Sequence, residues 1–140
     1  MVTREDLESF LIRMDLDYEE IEEGMYLVRG RNAGVPMVVH YADALLLIRL
    51  KLMDLPSDVD GRVDLYRTLL ELNASDMVHG AYGIEKGELI ISDTLELETL
   101  DFHELQASLE SIELAAVSHM QRIRDLAGVE PVTTKAGAGV

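Results

Sequence analysis

The sequence predicts an α+β fold: three helices and a set of antiparallel strands in the order helix, three or four strands, helix, two strands, helix. Three observations lead there. Apolar residues recur at helical spacing in the first, middle and last segments, as in Leu7, Phe10, Leu11 and Met14. Between them lie short aliphatic runs punctuated by Glu-Gly, Asn-Ala-Gly and Ala-Asp. A glycine-rich stretch then opens onto an alternation of period two rather than 3.6. With 140 residues the chain suits one domain, and at this size about 68–70% of the unfolded surface is buried on folding.

The first helix is expected over residues 3 to 14, with Thr3 and Asp6 as a capping box and Glu5 and Asp6 at the positive end of the helix dipole. "YEEI", "MYLVRG", "VPMVVHY" and "ALLLIRLKLM" follow as an antiparallel meander. In the last run Leu46, Ile48, Leu50 and Leu52 make one apolar face, while Leu45, Leu47, Arg49, Lys51 and Met53 make a mixed one. Pro56 cannot continue a ladder, and Ser57, Asp58 and Asp60 favour a turn. "RVDLYRTLLELN" reads as the second helix, with Leu65, Leu69 and Leu72 on its buried side, Tyr66 and Leu70 beside them, and Asn73 as its stop.

"HGAYGIEKGELIIS", residues 79 to 92, tests a phosphate-binding reading. A phosphate loop needs Gly, four residues and Gly-Lys-Ser/Thr, but here Lys86 precedes Gly87 and Glu88 follows. The dinucleotide fingerprint needs G-x-G-x-x-G opening a helix, and the glycine spacing here is G-x-x-G-x-x-x-G. Leu89, Ile91, Leu95 and Leu97 then alternate with Ile90, Ser92, Thr94 and Glu96. The stretch is a hairpin turning at Lys86-Gly87, with a bulge or bend expected at Asp93.

Asp101 caps the last helix, whose seam runs Phe102, Leu105, Leu109, Ile112, Ala116, His119, Ile123 and Leu126. Leu114, Val117 and Met120 widen it, so contacts beyond the sheet are expected. Residues 1–127 read as one domain and 128–140, small and aperiodic, as a disordered tail.

Composition narrows the function. There is no cysteine, which excludes disulfides, thiolate metal sites and a cysteine nucleophile. Net charge is −15, and no lysine or arginine lies between Lys86 and Arg122, where eight carboxylates fall. Such a surface opposes nucleic acid and anionic membranes. It suits solubility, or a partner with a basic or mixed-charge segment. The longest apolar run, "ALLLI", is far below the roughly 20 residues that span a bilayer. The N-terminus lacks a basic, then apolar, leader, so a soluble cytoplasmic protein is expected.

No site chemistry stands out. His40, His79, His103 and His119 fall in no recognised ligand spacing, and His119, inside the helical seam, reads as a hydrogen-bonded boundary residue or a pH-sensitive interface contact. The carboxylates from Asp15 to Glu23 lack a calcium-loop pattern, and alternation along a strand would split them between two faces. There is no G-x-S-x-G elbow or local Ser-His pairing, and "RGRNAG" reads as a solvated hairpin tip. No catalytic residue, metal or cofactor is expected. If all helices cover one sheet face, Leu45, Leu47 and Ile90, with Met37 or Val39, lie on the other and offer a partner surface.

Leu69-Leu70-Glu71-Leu72-Asn73, Gly80-Ala81-Tyr82-Gly83, Gly87, Leu95-Glu96-Leu97-Glu98-Thr99-Leu100 and the long helix from Asp101 together resemble the YbjN-like domains and the related class I type III secretion chaperones. The likeness covers nearly the whole chain through structural rather than catalytic marks. It implies a curved antiparallel sheet with N-terminal, middle and long C-terminal helices (α-β-β-β-α-β-β-α), and often a homodimer. It also implies a non-enzymatic, chaperone-like or adaptor protein that holds a protein partner or cargo segment on apolar strips. The residues expected to do so are Leu7, Phe10, Leu11 and Met14 of the first helix, with Leu45, Leu47 and Ile90 of the sheet. The alternative is a small-molecule- or metal-responsive regulatory domain with a ligand pocket between sheet and helices, near His40, His79 or His119.

Overall fold

The computed structural model describes residues 1–30, 35–58 and 62–129. Its elements are α1 (Arg4–Arg13), β1 (Asp17–Glu22), β2 (Met25–Arg29), β3 (Pro36–Ala42), β4 (Leu45–Asp54), α2 (Val63–Ser75), β5 (Ala81–Glu85), β6 (Glu88–Glu96) and α3 (Phe102–Ala127). Four strands precede α2, the larger of the two expected numbers and one more than the family resemblance implies. The six strands form one antiparallel sheet in the order β1-β2-β3-β4-β6-β5, so α2 carries the chain across to the far edge and β6 returns beside β4.

α1 forms as its sequence dictates. The Thr3 hydroxyl accepts from Asp6 N–H at 3.1 Å, and the Asp6 carboxylate accepts from Thr3 N–H at 2.9 Å. The Thr3 N–H bond first, and the Thr3 side chain second, hold the Asp6 carboxyl below its ordinary value of 3.8. Asp101 caps α3 by accepting from Glu104 N–H, and Gly128, at φ +74°, ends it in the left-handed conformation.

Burial is one-sided. Tyr26 and Val28 of β2, Val39 of β3, Leu46, Ile48 and Leu50 of β4, and Leu89 and Ile91 of β6 are all at 0% exposure. The register places these residues on one face, Val39 opposite Ile48 and Leu50 opposite Ile91. α1, α2 and α3 cover that face with Leu7, Leu11, Leu65, Leu105, Ile112 and Ile123, each at 0%.

Three expectations are corrected. Met37 and Val39 face the helices, because pairing with Leu50 and Ile48 fixes their parity; Val38 and His40 take the other face. Asp93 carries no bulge. It pairs with Ile48 in unbroken register, and the irregularity lies in β4 between Lys51 and Met53, where Leu52 and Met53 are both buried. Asn73 does not end α2, which runs on to Ser75. The expected tip "RGRNAG" and the tail beyond Val129 lie largely outside the described residues.

The hairpin is a two-residue turn with Lys86 at φ 51° and Gly87 at φ 77°, both positive as a type I′ turn requires. Gly80 has a different reason to be glycine. Its φ is +79°, and a Cβ there would lie 2.9 Å from the Ser92 carbonyl oxygen and 3.3 Å from the Ile91 side chain. Gly83 has open space.

Gly80→Ala is therefore expected to lower stability by about 1–3 kcal/mol in urea denaturation, whereas Gly83→Ala should stay within about 1 kcal/mol of the parent. Thr3→Ala should cost about 1 kcal/mol through the lost cap. Since the folded Asp6 carboxyl titrates below its unfolded value, its contribution is complete above the usual carboxylate range and lost as pH falls through the lower folded value. Asp6→Asn should flatten that acid limb of a urea-midpoint profile.

Candidate partner-binding surface

Among the described residues no helix covers the second sheet face, and its register divides it into two halves. Across β2, β3 and β4 the pairs Met25–His40–Leu47 and Leu27–Val38–Arg49 run side by side, with Ala42 opposite Leu45. These residues are half-buried or exposed, Leu45 at 39%. They form a contiguous apolar strip with His40 in its middle.

The other half is ionic. Ile90 lies between Lys51 of β4 and Gly83 of β5. Arg49 stands opposite Ser92 and Glu85 opposite Glu88, so the Arg49–Glu85 ion pair crosses β6 at the level of Ile90. Lys51 bridges Asp54 at 2.9 Å and Glu88 at 3.1 Å. The Arg49–Glu85 and Lys51–Glu88 pairs thus flank Ile90, which is 8% exposed on a face that no described helix covers. Hydrogen bonds to Asp54 and then Glu88 raise the Lys51 pKa above its ordinary value.

The sheet edges are guarded. β1 is largely exposed and carries Asp17, Glu19, Glu20 and Glu22, charges that discourage strand addition. At β5 the Asn73 side chain takes the place of a seventh strand. Its carbonyl accepts from Tyr82 N–H at 2.7 Å and its amide donates to Tyr82 C=O at 3.3 Å. The Tyr82 hydroxyl meets His119 Nδ1 at 2.7 Å, and His119 Nε2 meets Asp76 Oδ2 at 3.2 Å. Burial, and secondarily Asp76, push the Tyr82 phenol well above its ordinary range. This Asp-His-Tyr chain ties α2, α3 and β5 together at the boundary of the core.

The expected site residues therefore separate. Leu45 and Leu47 lie on the open strip. Ile90 is on the same face but between the ion pairs. Leu7, Leu11 and Met14 are buried against the core at 0%, 0% and 6%, because the apolar stripe of α1 is what docks the helix; they present no surface strip. Phe10 is half-buried, its ring edge-on to Phe102 at a centroid distance of 5.9 Å, with the Arg13 guanidinium 3.9 Å from the Phe102 ring centre. Met25, Leu27, Val38 and His40 complete the strip, and only their pairing with Leu45 and Leu47 reveals it. Among the described residues no three of His, Asp and Glu gather as a metal site, and no helix is long and apolar enough to cross a membrane.

A three-helix layer on one face of a six-stranded antiparallel sheet is the chaperone-like α+β architecture. The sequence matches the CesT_Tir_1 family over residues 2–128, and the chain belongs to this family of type III secretion chaperones. It is thus a chaperone-like, protein-binding fold. No curated protein matches the sequence. Among solved structures, the chain is similar to one in the heterodimeric ExoU–SpcU complex of the Pseudomonas aeruginosa type III secretion system, with TM-score 0.66, 14% identity and coverage of 86% of this chain and 97% of that one. YbjN from E. coli gives 0.63, 14%, 87% and 94%. The Yersinia pestis type III secretion chaperone SycH, in complex with a fragment of YscM2, gives 0.58, 19%, 80% and 94%.

Asn73→Ala should remove both bonds to the Tyr82 main chain at a cost of about 1–3 kcal/mol. Hydrogen exchange at the Tyr82 amide should accelerate more than at Ile91, which is paired inside the sheet.

Proposed function

We propose that this chain is a non-enzymatic, cytoplasmic chaperone-like module whose residues 1–127 act as one unit. It holds an extended segment of a protein partner along Met25, Leu27, Val38, His40, Leu45 and Leu47. The observation that carries this reading is the uncovered apolar half of the sheet beside an ion-paired half. A contiguous apolar surface of this kind on a folded domain is characteristic of partner sites. The guarded edges favour docking on the face over strand addition. The likeness to SpcU- and SycH-type complexes, each holding a second protein, supports the same reading.

The surrounding charge sets the partner's character. With a net charge of −15, the chain favours a segment that brings apolar side chains for the strip and basic ones for its surroundings, and binding weakens with salt. A homodimer forms the second part of the proposal.

Capture from native cytosol at low and high salt tests it. The parent should retain one polypeptide that Leu47→Glu loses while its melting temperature stays near the parent's, because Leu47 is outside the core. Retention unchanged by Leu47→Glu would refute the face reading. Sedimentation should give twice the chain's 15.6 kDa; a monomer at all concentrations would remove the dimer and leave the face.

A further inference from the structure

A cavity of about 330 Å³ opens where the end of α1 and the β2–β3 end of the sheet meet the middle of α3. Its walls are mainly apolar, with Leu109, Leu114, Val117, Leu16 and Met37 among them, and Glu113 is set into them. Glu113 is only 8% exposed, and among the described residues its Oε2 is buried with no hydrogen-bond partner. The backbone makes room for this carboxylate. A Cβ on Gly30 would lie 1.5 Å from Oε2, so a glycine is required for the close approach. Leu114 and Val117, at 67% and 51% exposure, form an open apolar rim.

An unpaired carboxylate withdrawn from water is costly, and the cost is relieved when a cation with hydrogen-bond donors reaches it. The cavity fits a group with an apolar stem and a flat, weakly hydrated cationic end, since the stem can lie along Leu109 and Val117 while the end meets Glu113. Among side chains that describes arginine better than lysine, whose compact ammonium is more strongly hydrated.

We infer that this cavity is a specificity pocket for one arginine side chain of the partner polypeptide, with Glu113 as its counter-ion. The inference deepens the protein-binding reading and rests on it for the source of the arginine. The pocket is separate from the sheet strip, so each can fail alone.

The test uses the full chain labelled with ¹⁵N and two capped tripeptides, Leu-Arg-Leu and its neutral isostere with citrulline. Amide shifts from Leu109 to Val117 should saturate with the arginine peptide at an affinity about tenfold or more above that for citrulline, as expected for a charge-assisted hydrogen bond. Glu113→Gln should abolish the difference, and Glu110→Gln, at the exposed carboxylate that also lines the pocket, should keep it. If Glu113→Gln fails to fold, Gly30→Ala serves instead, because its methyl displaces the carboxylate. Leu47→Glu, which disables the sheet strip, should leave the preference intact. Equal affinity for the two peptides, no binding of either, or a preference that survives Glu113→Gln overturns the pocket. So does n-butylguanidinium binding as tightly as the peptide, which would make the occupant a small cation.

Discussion

One-sided burial of the sheet, set by the parity of β4, is the constraint on which everything else rests. Leu46, Ile48 and Leu50 are fully buried and paired with β3 on one side and β6 on the other. Side-chain direction in a strand has period two, so fixing these three fixes which residues of both neighbours face the helices. The same rule places Leu47, His40 and Met25 together on the far face without any attraction among them. The surface strip is thus a consequence of the core. β4 then shifts parity once: at the irregularity between Lys51 and Met53 two consecutive residues, Leu52 and Met53, are both buried.

A sheet with one bare face also has two bare edges, and this chain treats them differently. β1 is defended by charge, which repels an incoming acidic strand but leaves its backbone groups unpaired. β5 is defended by geometry, with Asn73 supplying one donor and one acceptor where a strand would supply the same pair. The hydrogen-bonded chain from Asp76 through His119 to Tyr82 holds β5 against α3. These two devices leave the apolar half of the second face as the largest unpaired apolar surface described on the sheet.

The helices, their caps and the hairpin were legible because each is set by local rules: Thr3 with Asp6, Asp101 with Glu104, Lys86 with Gly87. What could not be read depends on pairing between distant segments. "VPMVVHY" is apolar on both parities, so nothing within it distinguishes Met37 and Val39 from Val38 and His40. Leu7 and Leu11 read as one stripe in the sequence, but a docking stripe and a binding stripe have the same spacing. Asn73 looked like a stop because asparagine suits helix ends, whereas here its side chain reaches nine residues ahead to Tyr82. Ile90 was placed on the correct face, but the Arg49–Glu85 pair beside it joins residues 36 apart in sequence.

The acidic run between Lys86 and Arg122, which the sequence presents as a single feature, dissolves in the same way. Glu88 is bound to Lys51, Asp101 caps α3, Asp93 turns toward the helices, and Glu113 is withdrawn beside Gly30. Half of the eight carboxylates therefore have local structural partners or positions, and they contribute little to a uniform negative field. For a basic segment of the kind proposed, net charge would set the long-range attraction, and salt would screen it. Under the same proposal, selection of one residue of that segment would fall to short range, where a buried carboxylate is screened far less than a surface one. In this fold the two levels are spatially separate: an exposed acidic surface that salt can silence, and an enclosed carboxylate at Glu113, buried like Asp93 Oδ2, that salt reaches poorly.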